Sequence, residues 1–324
     1  MVFRFTNQSI ISLKQDVFHD SPEFMAFEER CEKFLNFLDT MPSEIDIESL
    51  STKEWFRLSL KDYAKANEEL QKEANNRIYF IWLVSSFKIN KLLKEVLRLF
   101  NEGNFFPTFS LIRSIMETVC FTNYVLSKAK PMVYEINKNT DNFLQYQLLN
   151  TKLEEILLSG MKSTRIKLVE HEFSDTIMAE PISNAIKHVS KNEKYKSMNT
   201  FYGIMCEYVH PNMFSYTVFG TLTKMYEDKD SRLFKEDKIL GIPGEMDKYY
   251  LNIPERESFI IINYFGMFVN ILTMNMNLFE ETVNEFKELK IDLLKIKPPY
   301  FDLVSRMDDI EKQKFIEQFT KDLK

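Results

Sequence analysis

The stretch LIRSIMETVCFTNYVL, residues 111–126, decides the fold. It holds two charges, Arg113 and Glu117, and neither glycine nor proline. At 3.6 residues per turn its apolar side chains fall on nearly every side of a helix, which predicts an element surrounded by others. Arg113 and Glu117 lie four apart and share one face of that helix. With Leu111, Ile112, Ile115, Met116, Val119, Cys120 and Phe121 around them, the pair is expected to be at least partly buried. An exposed pair of this spacing contributes only about 0.3 kcal/mol, whereas burial costs several kcal/mol per ion unless other groups compensate. Two readings follow. The pair fixes helix register, or it forms a site in which Arg113 holds an anion that Glu117 orients or deprotonates.

Outward from this helix the same periodicity recurs. Residues 22–39 and 52–73 read as amphipathic helices, and 75–101 as a long helix with Ile89, Leu92, Leu93, Val96, Leu97 and Phe100 in an i, i+3, i+4 stripe. Gly103 suits its terminator, Asn104 the next cap, and Pro107 the first turn of a helix over 105–128. Further helices are expected over 131–160 and 163–190, interrupted near Gly160 and Pro181. A helix from about 197 ends at His210-Pro211, because a proline disfavours helical geometry in the residue before it, and another restarts over 212–226. The charged segment 227–257, with Gly241, Pro243, Gly244 and Pro254, predicts a mobile loop or lid. The uncharged run Ser258–Phe279 carries Asn263, Asn270 and Asn277 every seven residues, so it reads as a bundle helix with a polar seam rather than a membrane span. A tail helix over 301–323 follows Pro298-Pro299. The expected fold is an all-α multi-helix bundle with a long central helix pair and a lid-like insertion. Its divisions are an N-terminal helical layer (1–74), a core bundle (75–290) and a helical tail (291–324).

Composition agrees. Seven glycines and ten prolines in 324 residues leave a strand-rich fold short of turn residues. The abundance of Lys, Asn, Ile and Phe points to an AT-rich bacterial genome. A formal net charge of −6 argues against a general electrostatic grip on nucleic acid, leaving room for local basic clusters such as Lys187…Lys191…Lys194…Lys196 and Lys287…Lys290…Lys295…Lys297. Cys31, Cys120 and Cys206 are odd in number and far apart, which fits reduced thiols in a cytosol. The N-terminus shows no signal peptide, so a soluble cytoplasmic protein is expected, with no membrane partner. No Gly-rich phosphate loop, GxSxG elbow or HExxH zinc motif occurs, and no cofactor is expected.

His210 is the second polar feature. It stands at the expected helix break, where the N-terminus of a following helix favours an anion. Tyr202, Tyr208 and Asn212 supply donors and acceptors for a ligand there, and Glu207 is close by. The run from Leu97 to Gly103, then Ser110-Leu111-Ile112-Arg113-Ser114-Ile115-Met116-Glu117, with Tyr202 and His210-Pro211 later, resembles a family of uncharacterised bacterial helical proteins. That family pairs an L-x-R-S-x-x-E helix with a tyrosine-to-His-Pro segment, and the resemblance spans about 75–220. It implies that Arg113, Glu117, Tyr202 and His210 converge. Similar helical proteins look like parts of toxin–antitoxin or abortive-infection loci, which gives phage defence as the expected context.

Three chemistries are in view. The first is a binding module that recognises an anionic small molecule, a nucleic-acid end or a partner protein from the same operon, working as a homodimer. The second is a distantly HEPN-like, metal-independent ribonuclease, in which Arg165-Ile-Lys-Leu-Val-Glu-His171 provides an Arg-x5-His motif. There His171 would move the proton and Arg165 would stabilise the phosphate charge. The third is a metal held by Glu117, Glu207 and His210, prompted by the Glu-x-x-His spacing of Glu207 and His210.

Overall fold

The computed structural model describes residues 22–42, 52–102, 106–138, 143–164, 177–178, 180–209, 221–224, 249–252, 256–291, 300–304 and 306–320. The fold is all-α. In chain order the helices are α1 (Pro22–Asp39), α2 (Thr52–Lys61), α3 (Tyr63–Glu102), α4 (Phe106–Lys138), α5 (Phe143–Lys162), α6 (Ile182–Val189), α7 (Met198–Val209), α8 (Arg256–Glu288), α9 (Phe301–Val304) and α10 (Asp309–Thr320). A 3-10 turn, Glu193–Tyr195, lies between α6 and α7. Among the described residues no helix is long and apolar enough to cross a membrane.

Several boundaries differ from the sequence expectation. The break expected near residue 74 falls instead at Asp62, whose carboxylate accepts the Lys65 N–H at 3.1 Å and caps α3. Helix α4 runs through Pro131, across the gap expected between the helices over 105–128 and 131–160. A proline costs one helical hydrogen bond, but Ala129, Val133 and Ile136 around it are all buried, and packing keeps the helix continuous. Helix α5 continues through Gly160, where a Cβ would stand 3.1 Å from Ile81 Cδ1 and 3.3 Å from Val125 Cγ1. The glycine is there to let helices approach, not to end one.

Short strands replace two expected helical stretches. Ser163–Thr164 (β1) pairs in parallel with Ile177–Met178 (β2), and among the described residues of the 163–190 region only Ile182–Val189 is helical. Thr221–Lys224 (β3) pairs antiparallel with Tyr249–Asn252 (β4), with Thr221 opposite Asn252 and Leu222 opposite Leu251. Thr221–Lys224 of the 212–226 segment is therefore a strand. Its alternating Thr-Leu-Thr suits a pleated ladder against Tyr-Tyr-Leu better than a lone helical turn. Gly103, Asn104 and residues 227–248 of the expected lid lie outside the described residues.

Contacts divide the chain into two compact units, one of 1–40, 87–119 and 186–278, the other of 41–86, 120–185 and 279–324. In the first, Phe27, Phe34 and Leu38 of α1, Ile89, Leu93 and Val96 of α3, Ile112 and Met116 of α4, and Phe268 and Ile271 of α8 are buried. Asp39 at the end of α1 accepts from Asn90 at 2.7 Å and Lys94 at 3.2 Å on α3. Arg30 donates to Asn277 Oδ1 at 2.8 and 3.2 Å.

The asparagine stripe on α8 does not form a buried seam. Asn277 is half-buried and paired with Arg30, Asn270 is exposed, and the side chain of Asn263 lies outside the described residues. The buried asparagine is Asn275, on a different face, whose Nδ2 donates to the Ile271 carbonyl at 2.7 Å. Its Oδ1 is buried without a hydrogen-bond partner. A stranded acceptor costs about 1–3 kcal/mol. Asn275→Leu is therefore expected to raise stability by about 1 kcal/mol, after the penalty of extra volume, seen as a higher urea midpoint at unchanged m-value.

The second unit is built on Trp82 and Ile78 of α3, Val125, Val133 and Ile136 of α4, Leu153 and Leu157 of α5, and Phe279 and Val283 of α8. Phe56 and Leu60 of α2 form a smaller cluster with Val304 and Ile316 from α9 and α10. Ser59 and Tyr300 hydrogen-bond across it at 3.0 Å.

Candidate functional site

Helix α4 places Arg113 and Glu117 one turn apart, and α7 brings Tyr202 against both. Arg113 Nε donates to Glu117 Oε1 at 2.9 Å. The Tyr202 hydroxyl donates to the same oxygen at 3.0 Å. A longer contact of 3.5 Å joins Arg113 Nη2 to the Tyr202 oxygen. The guanidinium carbon lies 5.5 Å from the centre of the Tyr202 ring, within cation–π range. The three side chains close a triangle, so the carboxylate accepts two hydrogen bonds and the guanidinium plane is held from two sides.

The triangle is sheltered but not sealed. Arg113 keeps 20% and Glu117 30% of side-chain surface open to solvent. Burial works against the Arg113 charge, yet the hydrogen bond and charge of Glu117 outweigh it, and the guanidinium is held more firmly protonated than usual. For Tyr202, burial first and the Glu117 carboxylate second push the phenol up to about 12. It therefore remains a donor at neutral pH.

A phenol shifted upward stabilises the fold fully below its unfolded value near 10. That contribution is lost as pH rises through about 12, when Tyr202 ionises beside Glu117. The ultraviolet titration of the wild type minus that of Tyr202→Phe is expected to show one tyrosine with a midpoint near 12 rather than near 10.

Other expected members fall differently. Tyr208 sits six residues beyond Tyr202 on α7, about a third of a turn around the helix. Its ring packs on Phe109 at 4.5 Å, and Phe109 meets Phe268 edge-on at 4.9 Å. The described contacts thus place Tyr208 in an aromatic cluster rather than on the triangle. His210, Asn212, Arg165 and His171 lie outside the described residues. Glu207 is exposed, and among the described residues no group of three His, Cys, Asp or Glu could hold a metal ion.

One neighbour was missed from the sequence. Cys206, half-buried and one turn after Tyr202, lies within electrostatic reach of Arg113 and Tyr202. Its i, i+4 spacing from Tyr202 was the available signal. The other two thiols, Cys31 and Cys120, are buried in the core, and burial pushes Cys31 up to about 12.

No curated protein and no solved structure matches the chain. Residues 79–225, the stretch that carries Arg113, Glu117 and Tyr202, match a family described as a family of unknown function (DUF5677).

Proposed function

We propose that Arg113, Glu117 and Tyr202 form the anion-recognition site of a binding module, an accessory or effector protein in bacterial phage defence. One observation carries the reading: a guanidinium fixed by a carboxylate and a phenol that still keeps a fifth of its side chain in reach of solvent. Holding a guanidinium in place before a ligand arrives removes part of the ordering cost of binding. Its planar fork of N–H donors suits phosphate or carboxylate oxygens. A pair serving register alone would have no need of the opening.

The 75–220 region resembles a family of uncharacterised helical proteins, and the defence role is carried over as context from similar helical proteins that look like parts of toxin–antitoxin or abortive-infection loci. Calorimetric titration with pyrophosphate tests the site. Binding by the wild type, with a loss of about tenfold or more in Arg113→Gln, matches one charge-assisted hydrogen bond of about 1.5–3 kcal/mol. Absence of wild-type binding overturns the reading, as does full binding by a folded Arg113→Gln. The role itself is read by plating phage on cells that express the wild type or Arg113→Gln, with protection expected only from the former.

A further inference from the structure

Residues 186–197 form a fixed platform with two unlike sides. Ile186, Val189 and Tyr195 anchor one side in the core of the first unit. Backbone bonds run on past the end of α6, from Lys191 N to His188 O, Asn192 N to Val189 O and Tyr195 N to Asn192 O, at 2.9–3.2 Å. The Asn192 side chain accepts the Lys194 N–H at 3.0 Å and caps the 3-10 turn. The other side presents Lys187, Lys191, Lys194 and Lys196, all exposed. Four lysines against one carboxylate, Glu193, give this segment +3 in a chain whose net charge is −6. Glu193 pairs with Lys196 at 3.3 Å. Among the described residues neither Lys187 nor Lys191 is ion-paired, and Lys194 lies over the Tyr195 ring at 5.3 Å.

This platform leads directly into α7, the helix that carries Tyr202 to Arg113. Lys194 and Tyr202 are eight residues apart, with the end of the 3-10 turn and the first turn of α7 between them. A free phosphate is too small to bridge that span. A polymer of phosphates reaches both ends. We propose that the anion recognised at Arg113 belongs to a single nucleic-acid strand whose neighbouring phosphates lie along Lys187, Lys191 and Lys194. This rests on the Arg113 reading and adds the class of ligand. A strand fits better than a duplex because the basic row is short and is followed in the chain by the half-buried ring of Phe201 at the start of α7. Aromatic faces beside a basic track are how single strands are held through base stacking. A guanidinium beside a row of ammonium groups favours phosphodiesters over an acidic peptide, because the planar fork pairs with two phosphate oxygens at once.

The test is fluorescence anisotropy with a labelled oligouridine about ten nucleotides long, within the usual single-strand site size. At about −0.7 per neutralised phosphate, the slope of log affinity against log salt is expected to be about −2 to −3. The triple variant Lys187→Gln/Lys191→Gln/Lys194→Gln is expected to lose more than about tenfold in strand affinity and to flatten the slope by about 2. Its pyrophosphate binding at Arg113 stays unchanged, while Arg113→Gln weakens both ligands. Strand binding unaltered in either variant overturns the proposal. So does no strand binding beside intact pyrophosphate binding, and so does polyglutamate bound as tightly as the strand. Lysine-dependent strand binding without any pyrophosphate binding instead removes the Arg113 reading and leaves the lysine surface.

Discussion

Trp82→Ala is expected to lower stability by about 3–5 kcal/mol, the range for deleting a large aromatic from a packed core. Trp82 is 1% exposed on α3. Its ring meets Tyr79 edge-on at 4.4 Å, and the Lys287 ammonium lies 5.6 Å from its centre. Truncation removes these contacts together and leaves a cavity that two long helices cannot easily collapse. Urea unfolding followed by circular dichroism measures the effect. Both tryptophans, Trp55 and Trp82, belong to the second unit, so their emission reports on that unit alone. A loss under about 1 kcal/mol would show that Trp82 is not packed as described.

Glu117→Ala is expected to cost about 2 kcal/mol. It strips Arg113 of its carboxylate and Tyr202 of its acceptor in one step. Breaking a fully buried pair costs about 3–5 kcal/mol; solvent at the open edge of this triangle moderates that figure. The informative comparison is the double variant Arg113→Met/Glu117→Leu, which removes both charges and leaves apolar side chains of similar reach. It should be more stable than Glu117→Ala by about 1–2 kcal/mol, and should no longer bind pyrophosphate. Stability recovered while binding is lost assigns the pair to recognition. If the double variant is as unstable as Glu117→Ala, the pair matters to the fold in a way that simple charge removal does not capture.

The helices that carry the site were legible because their patterns are strong. The run 111–126 has no competing period, and the i, i+4 pair within it left little freedom about which residues would meet. Tyr202 was read as a donor near His210, its meeting with Arg113 and Glu117 came from a resemblance, and geometry then gave it the role of donor to Glu117. The errors cluster where a weak local signal met a stronger tertiary one. Pro131 and Gly160 look like breaks, but buried neighbours on both sides hold the helices through them. Asp62 was overlooked because the amphipathic pattern continues on either side of it. Thr221–Lys224 is too short for periodicity to separate strand from helix, and its partner Tyr249–Asn252 is more than twenty residues away. The asparagine stripe misled for a related reason. A seven-residue repeat predicts a shared face but not whether that face is covered, and Asn270 and Asn277 met solvent and Arg30 rather than a seam.

The interleaving of the two compact units has a genetic consequence. Each is assembled from three stretches of chain separated in sequence, with changeovers at 40/41, 86/87, 119/120, 185/186 and 278/279. No single crossover point separates a gene segment for one from a gene segment for the other. Four of the five changeovers fall inside α3, α4, α6 and α8, so a recombination there would cut a helix as well as a core. Arg113 and Tyr202 lie in different stretches of the same unit, with a stretch of the other between them. The site is therefore inherited whole or lost whole. Shuffling can append modules to such a gene, but it cannot graft this triangle onto another one.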